Sequence, residues 1–125
     1  MRFVKEASMW VVALLANLVL TGPVTVVDGD TVRSAGVTYR LANIDAPETG
    51  GRARCDSEAA LGAAATQRAR GLVAEADVVA VVPTGRTDRY GRVVARVEVD
   101  GRDLGEVLME EGLAQPWRGR RGQWC

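Results

Sequence analysis

Apolar and alternating stretches predict short strands along most of the chain. Residues 78–82 form an unbroken apolar run rich in valine, which is typical of a buried strand. Residues 93–99 instead alternate apolar and polar side chains, as a half-buried strand does. Further strands are expected at residues 24–27, 31–33 and 37–41, and turn residues separate the strands at 28–30, 34–36, 83–85 and 100–101. Ile44 leads into a loop over residues 45–49, because Pro47 ends the strand.

Two segments have helical periodicity. Residues 56–76 are expected to form a helix that packs on a sheet, with Asp56 or Ser57 as its N-cap. The side chains that recur on one face of this helix are Leu61, Ala65, Ala69, Leu72 and Ala76. A short second helix is expected after Asp103, with Glu106 in the capping-box position and Gly112 as its stop. Residues 115–125 show no periodicity.

This order of elements predicts one α+β domain. The chain has 125 residues, a length that suits a single hydrophobic core. About five short strands, with a helix inserted after the third and another at the end, fit a five-stranded barrel of the oligonucleotide-binding (OB-fold) type with packed helices.

The composition narrows the chemistry. The formal net charge is zero, so any polyanion must be bound by a local cluster of positive charge. The chain has no histidine, which excludes serine–histidine triads, histidine-bound metals and phosphohistidine chemistry. Of the 16 basic residues only Lys5 is a lysine. Guanidinium groups suit bidentate phosphate contacts, although genome composition explains an arginine bias equally well.

The N-terminal residues have the order expected of a signal peptide. Arg2 and Lys5 precede an apolar run over residues 9–20. That run is short for a membrane span, which needs about 20 residues. No clear small-x-small cleavage site precedes Pro23, so an uncleaved N-terminal anchor and a misassigned start codon stay open. The expected location is secreted or periplasmic, and any membrane contact is expected only through this segment.

Two cysteines, Cys55 and Cys125, agree with export to an oxidising compartment. A bridge between them would close most of the chain that follows the predicted signal peptide into a loop, which the chain-entropy model values at roughly 4 kcal/mol. The alternative is a pair of unrelated buried thiols. A disulfide is the prediction, because a terminal cysteine is seldom a packing residue.

Three clusters of polar residues lie at predicted strand ends and turns: residues 28–31, 40–49 and 86–92. Hydrolysis of a phosphodiester needs a hard cation on the phosphate, an oriented water and positive charge that stabilises the transition state. Carboxylates can bind the cation and orient the water, and arginines can supply the positive charge, so histidine is not needed. Each cluster alone is more typical of a turn, a helix cap, a strand edge or a solvated surface charge, so the prediction depends on their combination and order.

In combination, the three clusters resemble the staphylococcal-nuclease-like (thermonuclease) family. The matching motifs are Asp-Gly-Asp-Thr-Val at residues 28–32, Arg-Leu followed by Asp-Ala-Pro-Glu-Thr at residues 40–49, and Thr-Asp-Arg-Tyr-Gly-Arg at residues 87–92. The resemblance covers residues 24–113. It implies an OB-fold-type barrel and a nuclease domain at residues 23–125. The N-terminal pattern described above places a signal peptide or anchor before it, at residues 1–22.

The resemblance also implies a role for each matched residue. Calcium would be bound by Asp30, Asp45 and the backbone carbonyl of Ala46, with Asp28 supporting the site. Glu48 would be the general base or would position the attacking water. The scissile phosphate would be bound by Arg40 and Arg92, and further nucleotide phosphate by Arg89 and Tyr90.

The expected function is therefore calcium-dependent endonuclease cleavage of DNA and RNA, with little sequence specificity, by a monomer. The alternative is a non-catalytic module of the same fold that binds nucleic acid or protein at the cell envelope. Simple binding would not require Glu48 together with both arginines. Residues 116, 117 and 124 are expected to cover the surface after residue 114, held by the Cys55–Cys125 bridge.

Overall fold

The computed structural model describes residues 17–125. Most of the predicted signal peptide lies outside the described residues, so the domain boundary at residue 22 stays a prediction. The last part of the predicted apolar run is described, and it forms a short exposed strand, Leu18–Val19. Within residues 17–125 no helix combines the length and the apolar character needed to cross a membrane.

Nine strands and two α-helices form the described part of the chain. The strands are β1 (Leu18–Val19), β2 (Val24–Asp28), β3 (Thr31–Ser34), β4 (Val37–Leu41), β5 (Ile44–Asp45), β6 (Val79–Thr87), β7 (Val93–Val99), β8 (Arg102–Asp103) and β9 (Gln115–Pro116). The helices are α1 (Asp56–Glu75) and α2 (Leu104–Glu110), and a 3-10 turn spans Gly50–Arg52.

The main sheet curls into an OB-fold-like half-barrel, which confirms the predicted α+β fold class. Its strand order is β1-β6-β7-β4-β3-β2, with β8 paired to β7 outside this path. Strands β4 and β7 pair in parallel, whereas the other neighbours are antiparallel. The parallel pairing brings the end of β4 next to the start of β7, because Tyr39 is opposite Val93. Arg40 and Arg92 therefore lie on adjacent strand ends.

The predicted turn at residues 83–85 is wrong, because β6 continues through it to Thr87. The register between β6 and β7 shifts between Pro83 and Arg86. Gly85 lies within this irregularity with a φ of 86°, which a glycine adopts without strain. A bulge of this kind accommodates a proline, which has no N–H for the ladder, without ending the strand.

The core lies between the curled sheet and the two helices, and its largest members include Leu41, Ile44, Leu104 and Leu108. Helix α1 packs through the predicted face, where Ala65 and Ala69 are fully buried. The predicted cap of this helix is wrong. The N-cap is Cys55, whose side chain makes no capping hydrogen bond, and Asp56 and Ser57 are already helical.

The start of α2 follows the prediction. The Asp103 carboxylate accepts a hydrogen bond from the backbone N–H of Glu106 at 2.9 Å. Helix α2 ends at Glu110, and Gly112 follows with a φ of 74°. The chain reversal after this helix therefore uses the glycine as expected.

The aperiodic C-terminal segment is ordered by pairing and by a disulfide. Strand β9 pairs antiparallel with β5, so that Asp45 is opposite Gln115. Cys55 and Cys125 form a disulfide across a sequence separation of 70, which confirms the predicted bridge. The C-terminus is thereby tied to the start of α1, next to the loop that carries Glu48.

Candidate active site

All six side chains assigned above to catalysis, metal support or nucleotide binding, and both carboxylates assigned to calcium, line one open cleft of about 1170 Å³. The cleft lies across the ends of β3, β4 and β6 and the loop after β5. Its lining includes Asp30, Arg40, Asp45, Glu48, Arg92 and Trp117. Ala46 is buried behind this surface and meets the site through its backbone N–H, which lies 3.4 Å from Asp30 Oδ2. The role proposed for its carbonyl stays a prediction.

Asp30 is a buried carboxylate at the turn between β2 and β3. The Asp28 carboxylate accepts a hydrogen bond from the Asp30 N–H at 3.2 Å, and Thr31 Oγ1 donates to Asp30 Oδ1 at 3.0 Å. Burial, with a smaller contribution from the Asp28 charge, raises the pKa of Asp30 to about 6, although Arg40 opposes the shift. The negative charge at this position is thus poorly compensated by the protein alone.

Gly29 allows this turn to approach the rest of the site. A Cβ at position 29 would lie 2.8 Å from the Cβ of Ala46 and 3.1 Å from that of Ala65. Both neighbours are buried and cannot move away freely. The glycine therefore lets the Asp28–Asp30 turn pack directly on α1 and on the loop that carries Glu48.

Arg40, near the end of β4, is held in one orientation by several contacts. Its Nη1 donates to the backbone carbonyl of Ile44 at 2.8 Å, and its Nη2 lies 3.6 Å from Asp30 Oδ2. The guanidinium also lies over the Trp117 ring, 5.2 Å from the ring centroid. Because the side chain is only 13% exposed, the charge is partly desolvated and fixed before any anion arrives.

Arg92 is oriented by Asp88, a residue for which the sequence suggested no role. The Asp88 carboxylate accepts hydrogen bonds from the N–H groups of Tyr90 and Arg92, each at 2.9 Å, and from Arg92 Nε at 2.6 Å. Burial alone would raise the pKa of Asp88, but these hydrogen bonds lower it. Arg92 Nη1 lies 3.4 Å from Thr31 Oγ1, toward the Asp30 turn. One carboxylate thus fixes both the turn and the arginine.

Arg89 and Tyr90 lie on the exposed side of the turn at residues 88–91, which precedes Arg92. Arg89 Nη2 donates to the Tyr90 hydroxyl at 2.8 Å, and the guanidinium lies 4.9 Å from the centroid of the Tyr90 ring. Tyr90 is 68% exposed. This pair is accessible to an extended ligand that enters the cleft beside Arg92.

Glu48 is half-buried on the opposite side of the cleft. Burial raises its pKa, the charges of Asp30 and Asp45 raise it further, and Arg121 and Arg52 oppose the shift. Its Oε1 lies 3.8 Å from Arg121 Nη2. Glu48 is therefore a carboxyl group with increased basicity, close to both predicted calcium ligands, as a general base requires.

Glu58 is a buried carboxylate for which the sequence patterns suggested no role. It is fully buried in the first turn of α1. Its carboxylate accepts hydrogen bonds from the Glu48 N–H at 3.1 Å, from the Arg54 N–H at 2.9 Å and from Arg54 Nε at 3.1 Å, and Arg121 Nη2 lies 3.4 Å away. Glu58 thus fixes the backbone of the Glu48 loop. The helical period does place Glu58 on the buried face of α1, because position 58 precedes Ala65 by two turns.

Protonation of Glu58 is expected to destabilise the protein. Burial alone would raise its pKa, but the hydrogen bonds from Arg54 and Glu48 lower it from 4.5 to about 2. A lowered folded-state pKa contributes stability above the unfolded value of 4.5, and this contribution is lost as the pH falls toward 2. The free energy of unfolding of the wild type should therefore fall more steeply between pH 5 and pH 3 than that of Glu58→Gln, measured by urea denaturation.

The exposed Glu110→Gln is the matched control for this experiment. It should keep the wild-type dependence on pH. Glu58→Gln should also be less stable than wild type at pH 7 by about 1.5–3 kcal/mol, the usual range for a hydrogen bond to a charged group. Parallel pH profiles for the wild type and Glu58→Gln would contradict the assignment of Glu58 as the acid-sensitive carboxylate.

Among residues 17–125, no group of three or more cysteine and acidic side chains lies close enough together to hold a metal ion by side chains alone. Asp30 and Asp45 nevertheless face the same cleft, and both raise the pKa of Glu48. Carboxylate oxygens are the ligands that calcium and magnesium prefer. The donor chemistry and the uncompensated charge of Asp30 fit a hard cation that also takes backbone, water or phosphate oxygens.

Fold and cleft together define the class: an OB-fold-like α+β protein with a carboxylate–arginine site at one end of the barrel. The chain belongs to the family of staphylococcal nuclease homologues, whose family model matches residues 38–123. This confirms the resemblance drawn from the motifs. The matched range contains two of the three motifs, and the Asp28–Asp30 turn precedes it.

Curated relatives agree with the family. The chain is 38% identical over 97 residues to the SPbeta prophage-derived endonuclease YokF of Bacillus subtilis, covering 71% of this chain and 31% of the relative. It is 35% identical over 94 residues to the endonuclease YncB of Bacillus subtilis, covering 71% and 44%. It is 33% identical over 126 residues to the succinoglycan biosynthesis protein ExoI of Rhizobium meliloti, covering 82% and 60%. The chain thus spans less than two thirds of the length of these relatives.

Proposed function

We propose that this protein is a metal-dependent nuclease that hydrolyses phosphodiester bonds of DNA and RNA with little sequence specificity. The observation that carries the proposal is the shared cleft. Arg40 and Arg92 approach it from adjacent strand ends, and Glu48 faces it from the loop after β5. A site that only bound nucleic acid would have no need for a carboxyl group of raised pKa among the arginines.

The two arginines are proposed to bind the scissile phosphate. Guanidinium groups form short, charge-assisted hydrogen bonds to phosphate oxygens, and these strengthen as negative charge develops in the transition state. Arg40 is held by the Ile44 carbonyl and Arg92 by Asp88. Because both side chains are oriented in advance, little reorganisation is needed when substrate binds.

Glu48 is proposed to act as the general base. Its pKa is raised by burial and by the neighbouring carboxylates, which increases its ability to accept a proton from water. The hydrogen bond from its own N–H to Glu58 fixes the loop from which the side chain projects. The proton taken from the attacking water would reside on the Glu48 carboxylate during the reaction.

Asp30 and Asp45 are proposed to hold one calcium ion, with Asp28 stabilising the turn that carries Asp30. The bound ion would supply positive charge that neutralises the phosphate and compensates the buried Asp30 carboxylate. Oxygen ligands of this type favour calcium or magnesium over softer metals. We choose calcium because the resemblance implies it.

Arg89 and Tyr90 are proposed to contact a neighbouring phosphate of the same strand. Both lie on the exposed rim next to Arg92. Contacts to phosphate and sugar position a nucleic acid without reading its bases. The proposed preference is therefore for flexible single strands and frayed duplex of either nucleic acid.

Removal of the metal is expected to abolish cleavage. Purified protein incubated with plasmid DNA and with RNA in calcium should degrade both, and excess chelator should stop the reaction. Adding calcium beyond the chelator should restore it, which controls for damage to the protein. Full activity in excess chelator would contradict the metal dependence, and retention of nucleic acid without cleavage in calcium would favour the non-catalytic binding module.

A further inference from the structure

The last eight residues, 118–125, form a C-terminal arm along one wall of the cleft. Strand β9 delivers the chain to this wall by pairing with β5, which contains Asp45. The disulfide to Cys55 fixes the other end of the arm at the start of α1. Gly119 and Arg121 line the same cleft as the proposed catalytic residues.

Two N–H groups of the arm converge on the carboxylate of Asp45. The backbone N–H of Gly122 donates to Asp45 Oδ2 at 2.8 Å, and the indole Nε1–H of Trp124 donates to the same oxygen at 3.2 Å. Asp45 is only 4% exposed, so few other donors can reach it. Because both hydrogen bonds end on Oδ2, they fix the rotation of the Asp45 carboxylate. Neither donor occupies the other oxygen, Oδ1.

Hydrogen bonds hold the backbone around Gly122 close to the Asp45 carboxylate. Its carbonyl accepts a hydrogen bond from Arg54 Nη2 at 2.6 Å, and the next carbonyl, of Gln123, accepts one from Gln115 Nε2 at 2.9 Å. A Cβ at position 122 would lie 2.3 Å from Gln115 Oε1 and 3.1 Å from Asp45 Oδ2. The Gln115 amide is the end of a flexible side chain and can move, but the buried Asp45 carboxylate has less freedom, so glycine favours this close approach of the arm.

We propose that Gly122 and Trp124 are positioning residues, whose N–H groups hold Asp45 in the orientation that binds the catalytic metal ion. This inference rests on the proposed function, because it assigns a role at the same calcium site. Carboxylates that bind a metal through one oxygen are commonly held by a hydrogen bond to the other, and loss of such a bond typically weakens metal affinity 10–100-fold.

The alternative is that the arm weakens calcium binding instead of supporting it. Two N–H donors also neutralise part of the carboxylate charge, and an arm that competed with the metal for Asp45 would be inhibitory. The two cases differ in sign. If the arm positions Asp45, removing a donor weakens calcium binding, and if the arm competes, removing a donor strengthens it.

The test is the calcium affinity of Trp124→Phe, measured by isothermal titration calorimetry on the full chain with its disulfide intact. Phenylalanine keeps an aromatic ring and removes the indole N–H. We expect the calcium Kd to rise about tenfold. The thermal midpoint in excess chelator should fall only by the loss of one hydrogen bond to the carboxylate. Turnover should recover at saturating calcium, so that the effect on the site appears in the calcium dependence and not in kcat.

Gln123→Ala is the matched control, because this exposed side chain lies in the same arm between the two donors. Its calcium Kd should equal that of the wild type. Gly122→Ala is the second variant, which displaces the backbone donor and should also weaken calcium binding. An unchanged or lower calcium Kd in Trp124→Phe and Gly122→Ala would overturn this inference and leave the proposed metal dependence intact. A wild type that binds no calcium would overturn both the inference and the proposed metal dependence.

Discussion

Glu48→Gln is expected to lower the turnover number by about 10²–10⁴-fold, the usual contribution of a general base. Glutamine keeps the size of the side chain and leaves the backbone N–H that donates to Glu58 in place. The amide cannot accept a proton from the attacking water. The Kd for uncleaved nucleic acid should change little, because the arginines that bind phosphate are untouched.

The pH dependence provides a second readout for Glu48. A base acts in its deprotonated form, so kcat/KM of the wild type should rise with pH through the pKa of Glu48, which burial raises. Calcium bound by Asp30 and Asp45 would offset the charges of these two carboxylates. This limb should disappear from the residual activity of Glu48→Gln. Glu110→Gln, which changes an exposed carboxylate on α2, should keep both rate and profile. Activity within a few-fold of wild type in Glu48→Gln would exclude Glu48 as the base.

Much of the fold could be predicted because the strands and helices obey local rules. Strands β2, β3, β4 and β7 follow the β-branched and alternating stretches, and Asp103 caps α2 as its spacing to Glu106 indicates. Strand β6 was predicted too short, because a proline and a glycine are strong turn signals locally. The bulge that accommodates them depends on pairing with β7, which is a tertiary contact.

The sequence predicts which side chains line the cleft, but it does not predict the residues that hold those side chains in place. Motifs identify side chains that carry chemistry, and the predicted carboxylates and arginines do share one cleft. Asp88 and Glu58 orient these side chains through hydrogen bonds to backbone N–H groups. Such contacts depend on the path of the backbone, which no local pattern reveals. Glu58 could still be recognised as a charge on an otherwise buried helix face, which requires a partner when buried.

The C-terminal arm shows most clearly what sequence patterns leave out. Its residues have no period, and only the two cysteines indicated that they are attached to the domain. The contacts of Gly122 and Trp124 with Asp45 span 77 and 79 residues. Pairing of β9 with β5 and closure of the disulfide bring these distant positions together, so their relation to the site is a property of the fold.

Removing the disulfide is expected to cause the largest loss of stability. In the chain-entropy model, a bridge across a separation of 70 stabilises the folded state by about 4 kcal/mol, because it restricts the unfolded chain. Typical small domains have unfolding free energies of about 5–15 kcal/mol in total. The variant Cys55→Ser/Cys125→Ser should therefore unfold at a much lower urea concentration than the wild type.

The slope of the urea transition identifies the origin of this loss. A chain without the bridge exposes more surface on unfolding, so the m-value of the double variant should rise while its unfolding free energy falls. Measuring both proteins in excess chelator excludes any contribution from bound calcium. Trp124→Phe, which keeps the bridge, should retain the wild-type m-value. A double variant with an unchanged m-value and a small loss would show that the bridge acts through folded-state contacts of the arm, and one with wild-type stability would contradict the prediction.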